Sequence, residues 1–375
     1  MGTNFRLDKP QSGVEVKRLL VDLLFMSGGK GGMETYVREL YAEIKTFLPD
    51  IELIGVASQG FVESHSTEWF PGEIVTLRTS VSSRAQLAFA EAFLLTRVAR
   101  AHNVDLIHSP ANFGSWSKQI PSLLTLHDVL SFSRPELVPG IHGRVVRALI
   151  RKSARSSEHI LTVSEASARE IEKFVGVQPN RITVVPLSAP VSQLRPLPRS
   201  SNLLLSVGNN LPHKNFSTLL ASMSLIPEEE RPQLRIVGGN ADPLAREIED
   251  LKLTDWVRHL GWVTDSELDE LYAKATAVVL PTQFEGFGLP VLEAMNRGCP
   301  VLCSDIPVLR EVAGNAAVYF EVNNADALSR AIQDILNSPT ELQMRHEFGL
   351  ERSREFTWRR TAETTANVIR ALIGG

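Results

Sequence analysis

Short apolar runs, each followed by a stretch with helical periodicity, recur along the chain. The first is RLLVDLLFM (18–26), whose continuous hydrophobicity is typical of a strand buried on both faces of a parallel sheet. The glycine-rich SGGKGG comes next, and a helix is then predicted from apolar residues at helical spacing. These residues are Tyr36, Val37, Leu40 and Tyr41. A strand, a glycine turn and a helix in this order predict the beginning of a doubly wound α/β domain.

Further apolar runs divide the chain into two such domains. Strands are predicted at IELIGVA, VDLIHS, SLLTLHD, HILTVS and ITVVPL, and after a proline-rich segment at NLLLSVGNN, QLRIVGG, ATAVVLPT and CPVLCSD. We predict a flexible N-terminal extension (1–17), a first α/β domain (18–190), a linker (191–201), a second α/β domain (202–355) and a last helix (356–375) that packs back toward the first domain. Because ligands bind beyond the carboxyl ends of parallel strands, a binding cleft is expected between the domains.

Composition narrows the class of protein. The net charge of −4 provides no electrostatic attraction for nucleic acid. No apolar run reaches the roughly 18 residues of a membrane span, and the polar N-terminus does not resemble a secretory signal. Cys299 and Cys303 are expected in one strand, too close for a disulfide, and are interpreted as buried reduced thiols. We therefore expect a cytoplasmic protein.

The segment PTQFEGFGLPVLE follows a predicted strand and combines two carboxylates with a glycine loop. Gly286 and Gly288 allow backbone amides to approach a ligand closely. Pro290 is expected as the first helical residue, which would place Glu293 in the first turn. Taken singly, Glu293 is compatible with a helix-dipole charge and Glu285 with a solvated loop charge. Together, amides at a helix N-terminus suit anionic groups and carboxylates suit hydroxyl groups, and a sugar nucleotide has both.

The longer segment EGFGLPVLEAMNRGCPVLCSD resembles the nucleotide-sugar motif of retaining glycosyltransferases of family four, and similar segments occur in order from 28 to about 358. The resemblance implies the GT-B fold, with two Rossmann-like domains facing each other across a cleft. The first would be the acceptor domain and the second the nucleotide-sugar domain. It also implies that Glu285 binds donor-sugar hydroxyls and Glu293 the ribose. Donor contacts are further implied for Gly286, Phe287, Gly288 and Leu289.

Two segments of the first domain resemble the same family. SGGKGGMETYVREL is similar to its first loop, where Gly31 and Gly32 would let the backbone approach the donor phosphate or the acceptor. TLHDVLSFSRPEL is similar to its His-Asp segment. The resemblance places His127 over the donor sugar near the anomeric carbon, with Asp128 orienting the loop. Taken alone, a histidine after a strand is also compatible with a structural role.

The second domain opens with SVGNNLPHKNFSTLL, which is similar to the phosphate-binding element of the family. Lys214 would neutralise the diphosphate as it leaves. The chain departs from many relatives by having Asn209 and His213 at positions where basic residues are common, so the task would fall to Lys214, amides and His213. The segment HLGWVTDSELDELY is similar to the part of the family near the nucleotide base, where Val263 would act through its backbone. Ser164, in TVSEAS, is interpreted as a helix cap.

The resemblance implies that catalysis rests on His127, Asp128, Glu285 and Lys214. The sequence contains no Asp-x-Asp pair that would suggest a metal clamp, so we expect neither a metal nor a cofactor, the nucleotide sugar being a substrate. Lys214 and helix N-termini would stabilise the leaving group. The family also suggests front-side attack assisted by the leaving phosphate.

Two other functions stay open: a sugar-nucleotide epimerase or phosphorylase-type enzyme on a similar fold, and a catalytically silent sugar-nucleotide-binding subunit. The segments HDV…RPEL, PHKN and FEGFGLPVLEA look most like the mannosyltransferase-like branch, which favours GDP-mannose, with UDP-sugars and deoxysugar nucleotides such as a rhamnose donor as alternatives. A glycan or a lipid-linked saccharide is the expected acceptor.

The segment IHGRVVRALIRKSAR predicts an amphipathic helix with a basic face. Arg144, Arg147, Arg151 and Arg155 recur at helical spacing. We hypothesise that this face contacts an anionic membrane surface beside a lipid-linked acceptor. The alternative is a solvated helix face that packs on the first domain.

Overall fold

The protein consists of two parallel β-sheets with helices on both faces, as described by a computed structural model. The structure describes residues 16–28, 31–78, 90–190, 202–239 and 242–374. The predicted linker (191–201) and nearly all of the predicted N-terminal extension lie outside these ranges. Within them, no helix is both long and apolar enough to cross a membrane.

The first sheet contains seven strands in the order β3-β2-β1-β4-β5-β6-β7. They are β1 (Lys17–Asp22), β2 (Ile51–Ser58), β3 (Glu73–Leu77), β4 (Leu106–Ser109), β5 (Ser122–Leu126), β6 (His159–Thr162) and β7 (Ile182–Val184). Its helices are α1 (Gly32–Ile44), α2 (Gln59–Ser64), α3 (Leu95–Ala101), α4 (Leu130–Ser133), α5 (Gly140–Ser156) and α6 (Glu165–Glu170), which continues as a π-helical turn (Ile171–Val175). The strand order reverses between β1 and β4, so a crevice opens there at the carboxyl edge of the sheet.

The second sheet contains six strands in the order β10-β9-β8-β11-β12-β13. They are β8 (Leu203–Val207), β9 (Gln233–Val237), β10 (Val257–His259), β11 (Ala277–Leu280), β12 (Val301–Ser304) and β13 (Ala317–Phe320). Its helices are α7 (Phe216–Leu225), α8 (Asp242–Asp250), α9 (Asp265–Lys274), α10 (Leu289–Asn296), α11 (Pro307–Ala313), α12 (Ala325–Leu336) and α13 (Pro339–Ser353). The last helix, α14 (Trp358–Gly374), lies against α1 of the first domain.

Hydrophobic periodicity explains the helix that follows the first strand. The apolar residues predicted to line one face of α1 are all fully buried, namely Tyr36, Val37, Leu40 and Tyr41. The first strand is shorter than predicted. It ends at Asp22, whose Oδ1 accepts a hydrogen bond from the Leu24 amide at 3.0 Å, and the Met26 amide bonds to Leu23 O at 3.1 Å. The apolar run continued past the strand because this turn is itself buried.

Three strands were not predicted, and each forms an edge of its sheet: β3, β10 and β13. Polar residues interrupt β3 (EIVTL) and β10 (VRH), which therefore lack the continuous apolar run of a central strand. β13 (AVYF) is apolar throughout, and its two middle residues are partly exposed. A smaller error concerns Cys299, which lies before β12 rather than inside it. Both cysteine thiols are buried and do not form a disulfide, and burial raises the pKa of the Cys303 thiol well above its usual range.

The last helix is held to the first domain by polar contacts as well as by packing. Thr361 Oγ1 donates a hydrogen bond to Pro186 O at 2.7 Å. Further along α14, the Arg370 guanidinium bonds to the Asp50 carboxylate at 2.6 Å and to Phe47 O at 3.0 Å. The chain therefore crosses from the second domain back to the first, and a single hydrophobic cluster contains residues of both.

The predicted basic face lies on α5, and the structure corrects its membership. Arg144, Arg151 and Arg155 are exposed. Arg147 is half-buried, and its Nη1 donates a hydrogen bond to Ser131 O at 2.8 Å, so this arginine is less available for the hypothesised membrane contact than the other three. Its position on the helix points it toward the loop that contains α4 rather than toward solvent.

Candidate active site

The segments that the sequence analysis selected from the two domains meet across the cleft. His127 and Asp128 directly follow β5, and the loop that contains Gly286 follows β11. A Cβ atom on Gly286 would lie 2.7 Å from His127 O, closer than real contacts allow, so this backbone approach requires glycine. Gly32, at the start of α1, faces Leu289 of the second domain, and a Cβ there would lie 3.3 Å from Leu289 Cδ1.

Two serines at the start of α6 bind the backbone of the other domain. Their partner lies in the segment 285–289 that leads into α10, which we call the donor loop. Ser164 caps the helix as interpreted, because its Oγ accepts a hydrogen bond from the Ser167 amide at 3.0 Å. Its hydroxyl also donates to Gly286 O at 2.8 Å. Ser167 Oγ lies 3.0 Å from the same carbonyl and 3.2 Å from His127 O. The interpretation of Ser164 as a cap was correct but incomplete, since the two hydroxyls also hold Gly286 in place.

Glu311 makes a second interdomain contact that sequence reasoning did not detect. Its carboxylate, on α11, accepts hydrogen bonds from the amides of Glu165 at 2.7 Å and Ala166 at 3.0 Å. These amides begin α6, and amides in the first turn of a helix have no partner within the helix. A negative charge is also favoured at this end of a helix. Nothing in the local sequence around Glu311 distinguishes it from a solvated helix charge.

Lys214 and Glu285 form an ion pair in the cleft. Lys214 Nζ lies 2.6 Å from Glu285 Oε1, and the side chains are only 13% and 10% exposed. The two residues are brought together because the Gln283 amide donates to His213 O at 2.7 Å and Thr282 Oγ1 donates to the same carbonyl at 3.0 Å. The two charges were expected to bind different parts of a donor, and in the structure each also neutralises the other.

Asp128 and His213 complete the charged cluster. Burial raises the pKa of Asp128, although its Oδ1 accepts a hydrogen bond from the Leu130 amide at 3.0 Å. This bond holds the turn into α4, a geometry that suits the predicted loop-orienting role. Burial, reinforced by the nearby Lys214 ammonium, lowers the pKa of His213. The positive charge of the cluster therefore resides on Lys214 rather than on the histidine.

His127 is a neutral imidazole of defined tautomer. Burial lowers its pKa to about 4. Its Nε2 lies 2.9 Å from Pro110 O, and since a carbonyl oxygen can only accept, Nε2 carries the proton. The ring also packs edge-on against Tyr36, with centroids 4.9 Å apart. Nδ1 is then an acceptor, and it makes no hydrogen bond within the described residues. This nitrogen suits a sugar hydroxyl and cannot supply positive charge to a phosphate.

The donor loop differs from its predicted form at the start of α10. The helix begins at Leu289, so Pro290 is its second residue and Glu293 its fifth, beyond the first turn. The expectation for both residues was therefore wrong by one position or more. The reason is Gly288, whose left-handed φ of 100° turns the chain into the helix early.

The amides of the loop before α10 are available as hydrogen-bond donors. Within the described part of the chain, the backbone N–H groups of Gly286, Phe287, Gly288 and Leu289 donate no hydrogen bond. They gather where the positive end of the α10 dipole points into the cleft, an arrangement that favours anions. On the next turn of α10, Glu293 accepts a hydrogen bond from the Tyr272 hydroxyl at 2.7 Å.

The other predicted donor residues lie around this cluster. Asn209 is exposed in the turn after β8, and its Oδ1 accepts from the Leu211 amide at 3.4 Å. Val263 follows β10 and is half-buried against the core. Gly31 precedes α1, and a Cβ at this position would meet nothing within 4 Å, so the cleft is open there. The loops after β8 and β9 touch, since a Cβ on Gly238 would meet Gly208 O at 2.5 Å.

Taken together, the site can hold an anion at amides and at an ammonium group, and hydroxyl groups at carboxylates and a neutral imidazole. It lies between two parallel-sheet domains at the carboxyl ends of their strands. Among the residues described, no three histidine, cysteine or acidic side chains come together in a way that could hold a metal ion. A fold and site of this kind define a glycosyltransferase of the GT-B class.

Comparisons with known proteins agree with this class. Residues 30–191 match the family described as Glycosyltransferase Family 4, and residues 193–352 match the one described as Glycosyl transferases group 1. The chain is 32% identical over 285 residues to O-antigen chain mannosyltransferase B of Escherichia coli, an alignment that covers 72% of this chain and 75% of that protein. It is 34% identical over 219 residues to O-antigen chain mannosyltransferase RfbU of Salmonella typhimurium, covering 58% and 61% respectively.

Among solved structures, sucrose-phosphate synthase from Thermosynechococcus elongatus has the same fold, with a TM-score of 0.80 at 20% identity over 96% of this chain and 99% of that one. The protein belongs to glycosyltransferase family 4, in its mannosyltransferase branch. The predicted fold, of two Rossmann-like domains facing each other across a cleft, is confirmed.

Proposed function

We propose that this glycosyltransferase transfers mannose from GDP-mannose to a hydroxyl group of a glycan or lipid-linked saccharide, with retention of the anomeric configuration and without a metal ion. The observation that carries the proposal is the cluster formed by the Lys214–Glu285 ion pair and the amides before α10, which have no acceptor among the described residues. The two curated relatives named above are O-antigen mannosyltransferases, which supports mannose as the sugar and a polysaccharide as the product.

The diphosphate of the donor would lie at the N-terminus of α10. There the amides from Gly286 to Leu289 and the helix dipole favour negative charge. Lys214 lies beside this loop, and its ammonium group adds a full positive charge there. As the bond between the sugar and the phosphate breaks, negative charge develops on the leaving group, and donors already in place stabilise it without reorganisation. We therefore assign leaving-group stabilisation to these groups, with neither a metal nor a cofactor.

The sugar would lie between the donor loop and the β5 loop. The Glu285 carboxylate can accept hydrogen bonds from sugar hydroxyls while Lys214 holds one of its oxygens. Nδ1 of the neutral His127 can accept another. Both groups act as positioned acceptors, which suits front-side attack by the acceptor hydroxyl, its proton passing to the leaving phosphate. Holding the sugar in a reactive pose is worth several kcal/mol in such reactions, roughly 7–11 at the upper end.

A nucleotide panel tests the donor. Thermal unfolding is followed with GDP, UDP and dTDP and their sugar conjugates, all with EDTA. Selective stabilisation by GDP and GDP-mannose is expected, about 2.7 kcal/mol at a hundredfold excess over the dissociation constant. Selective stabilisation by UDP or dTDP would replace the proposed donor, and no stabilisation of the folded protein would favour a silent subunit. Glu293→Ala is the control for binding at this site.

A product assay tests the reaction. The purified enzyme is incubated with GDP-mannose and an α-mannoside acceptor, with and without EDTA, and the product linkage is read by NMR. An α-linked product formed equally in EDTA is expected. A β-linked product would overturn retention, and loss of activity that Mg²⁺ or Mn²⁺ restores would overturn metal independence. Glu285→Gln, which keeps the shape of the side chain, is expected to lose about 100- to 1000-fold in rate.

We also propose that the exposed side of α5 contacts anionic lipids, as hypothesised from the sequence. Ile141 is 74% and Val145 44% exposed, the exposed Arg144 lies beside them, and the exposed Arg155 lies further along the same helix. Apolar residues flanked by basic ones suit a membrane interface. Arg144→Ser/Arg155→Ser should reduce co-sedimentation with phosphatidylglycerol vesicles, whereas Arg330→Ser, an exposed arginine of α12, should not. Equal binding of the unaltered protein to neutral and anionic vesicles, or no binding to either, would refute the idea.

A further inference from the structure

Behind the donor cleft, Glu293 is tied to a buried tyrosine of the neighbouring helix. The Tyr272 hydroxyl, on α9, donates a hydrogen bond to Glu293 Oε2 at 2.7 Å. Tyr272 is fully buried, whereas Glu293 keeps part of its surface exposed. Glu293 Oε1 has no hydrogen-bond partner within the described residues, so one carboxylate oxygen is occupied and the other is available.

The tyrosine is itself held in one orientation. The guanidinium of Arg297, one turn after Glu293, lies over the Tyr272 ring at 5.0 Å from its centroid. Arg297 Nε donates to Asp269 Oδ1 at 2.8 Å, and its Nη1 donates to Glu293 O at 2.9 Å. The guanidinium is therefore fixed between α9 and α10, and the ring beneath it cannot rotate freely. A hydroxyl group held in this way directs its hydrogen bond along one line.

The surrounding charges and the hydrogen bond from Tyr272 have opposite effects on the pKa of Glu293. Burial raises the pKa of Glu293, and the carboxylates of Asp269 and Asp265 on α9 raise it further. The Tyr272 hydroxyl and the Arg297 charge lower it again. Burial and Glu293 raise the pKa of Tyr272 well above its usual range, so the hydroxyl keeps its proton and remains a donor. An ionised Glu293 offers only acceptors, and it binds a hydroxyl donor more strongly than a protonated carboxyl does, so the charged form suits a ribose hydroxyl better.

We propose that Tyr272 is a positioning residue for the donor nucleotide: it occupies Oε2 and orients the Glu293 carboxylate, so that Oε1 accepts a hydrogen bond from a ribose hydroxyl. This inference rests on the proposed function, since it assumes that a nucleoside diphosphate binds beside Glu293. The tyrosine acts through the glutamate, without contact to the reacting atoms.

Tyr272→Phe tests the inference, because it removes the hydroxyl and keeps the ring that packs under Arg297. Tyr319→Phe is the matched control: the Tyr319 hydroxyl donates to Gly314 O at 2.7 Å in the same domain, without contact to Glu293. The dissociation constant of GDP is measured by calorimetry at pH 6 and pH 8. We expect Tyr272→Phe to weaken GDP binding about tenfold or more at pH 6, as befits a lost hydrogen bond to a charged group. The loss should be smaller at pH 8, because a higher pH favours the ionised form of Glu293 in both proteins.

A second measurement separates this inference from the proposed function. The Glu293 carboxyl is followed by carbon-13 NMR during a pH titration of the ligand-free protein. The inference requires that Tyr272→Phe moves the titration midpoint of Glu293 upward and that Tyr319→Phe does not. An unmoved midpoint, or GDP affinity within twofold of the unaltered enzyme at pH 6, would overturn it. Failure of the unaltered enzyme to bind any nucleoside diphosphate would instead overturn the proposed function and this donor role with it.

Discussion

We expect the Lys214–Glu285 ion pair in the cleft to contribute to both stability and activity. Lys214→Met removes the ammonium group and keeps most of the stem, so that Glu285 loses a partner 2.6 Å away. Because the Glu285 side chain is only 10% exposed, water can compensate for the lost charge only in part. We therefore expect the variant to be less stable as well as less active, whereas a purely catalytic lysine would affect activity alone.

The magnitude follows from the burial of the pair. Removing one partner of a buried ion pair typically costs about 3–5 kcal/mol, because an uncompensated charge remains. The cleft admits some water, so we expect about 2–3 kcal/mol, at or just below the lower end of that range. In Lys214→Met/Glu285→Gln no unpaired charge remains, and stability should return to within about 1 kcal/mol of the unaltered protein. Activity should not return: both variants should lose about 100- to 1000-fold in kcat, since the ammonium no longer stabilises the leaving group.

Urea unfolding, followed by circular dichroism, gives the stabilities, and the GDP-mannose assay gives the rates. The matched control is Lys274→Met, since the Lys274–Glu270 pair lies on the surface with both side chains about half exposed. It should change stability by less than about 1 kcal/mol. If the double variant is as unstable as Lys214→Met, the unpaired charge is not the cause of the loss. If Lys214→Met keeps full activity, the assignment of leaving-group stabilisation to this lysine is wrong.

Three further predictions concern the contacts between the domains and the state of the histidine. Gly286→Ala places a methyl group 2.7 Å from His127 O and should lower kcat/KM about 100-fold, whereas Gly60→Ala, where nothing lies within 4 Å, should not; equal rates would refute the close approach. Glu311→Ala removes two hydrogen bonds to α6. It should lower kcat/KM about tenfold and increase the radius of gyration measured by X-ray scattering. An unchanged radius would show that the contact does not hold the domains together. The His127 ring should stay neutral with its proton on Nε2 from pH 5 to pH 8 in nitrogen-15 NMR. The pKa of His127 in the folded protein, about 4, lies below the unfolded value near 6.5. The contribution of this histidine to stability is therefore full above pH 6.5 and is lost as the pH falls toward 4. An imidazolium signal at pH 6 would contradict the buried, neutral state.

The local pattern of apolar residues was sufficient to predict the central elements of the fold. The strands buried on both faces are continuous apolar runs, and α1 places its apolar residues at helical spacing, so each is recognisable within about ten residues of sequence. The edge strands β3 and β10 were missed because polar residues dilute their apolar character. β13 is as apolar as a central strand, so its local pattern does not explain why it was missed. The end of β1 was missed because the turn after Asp22 is as apolar as the strand before it.

The sequence by itself determined which segments are candidates for the site. Carboxylates, glycines and a lysine placed directly after strands are local features, and parallel strands bring their carboxyl ends to one edge whatever their order. Only the tertiary structure decided how those residues pair: Lys214 with Glu285, the serines of α6 with Gly286, and Tyr272 with Glu293. These contacts join groups that are 21 to 122 residues apart in the sequence. Their geometry depends on how helices and domains pack against each other. The short-range periodicity of the sequence does not specify that packing.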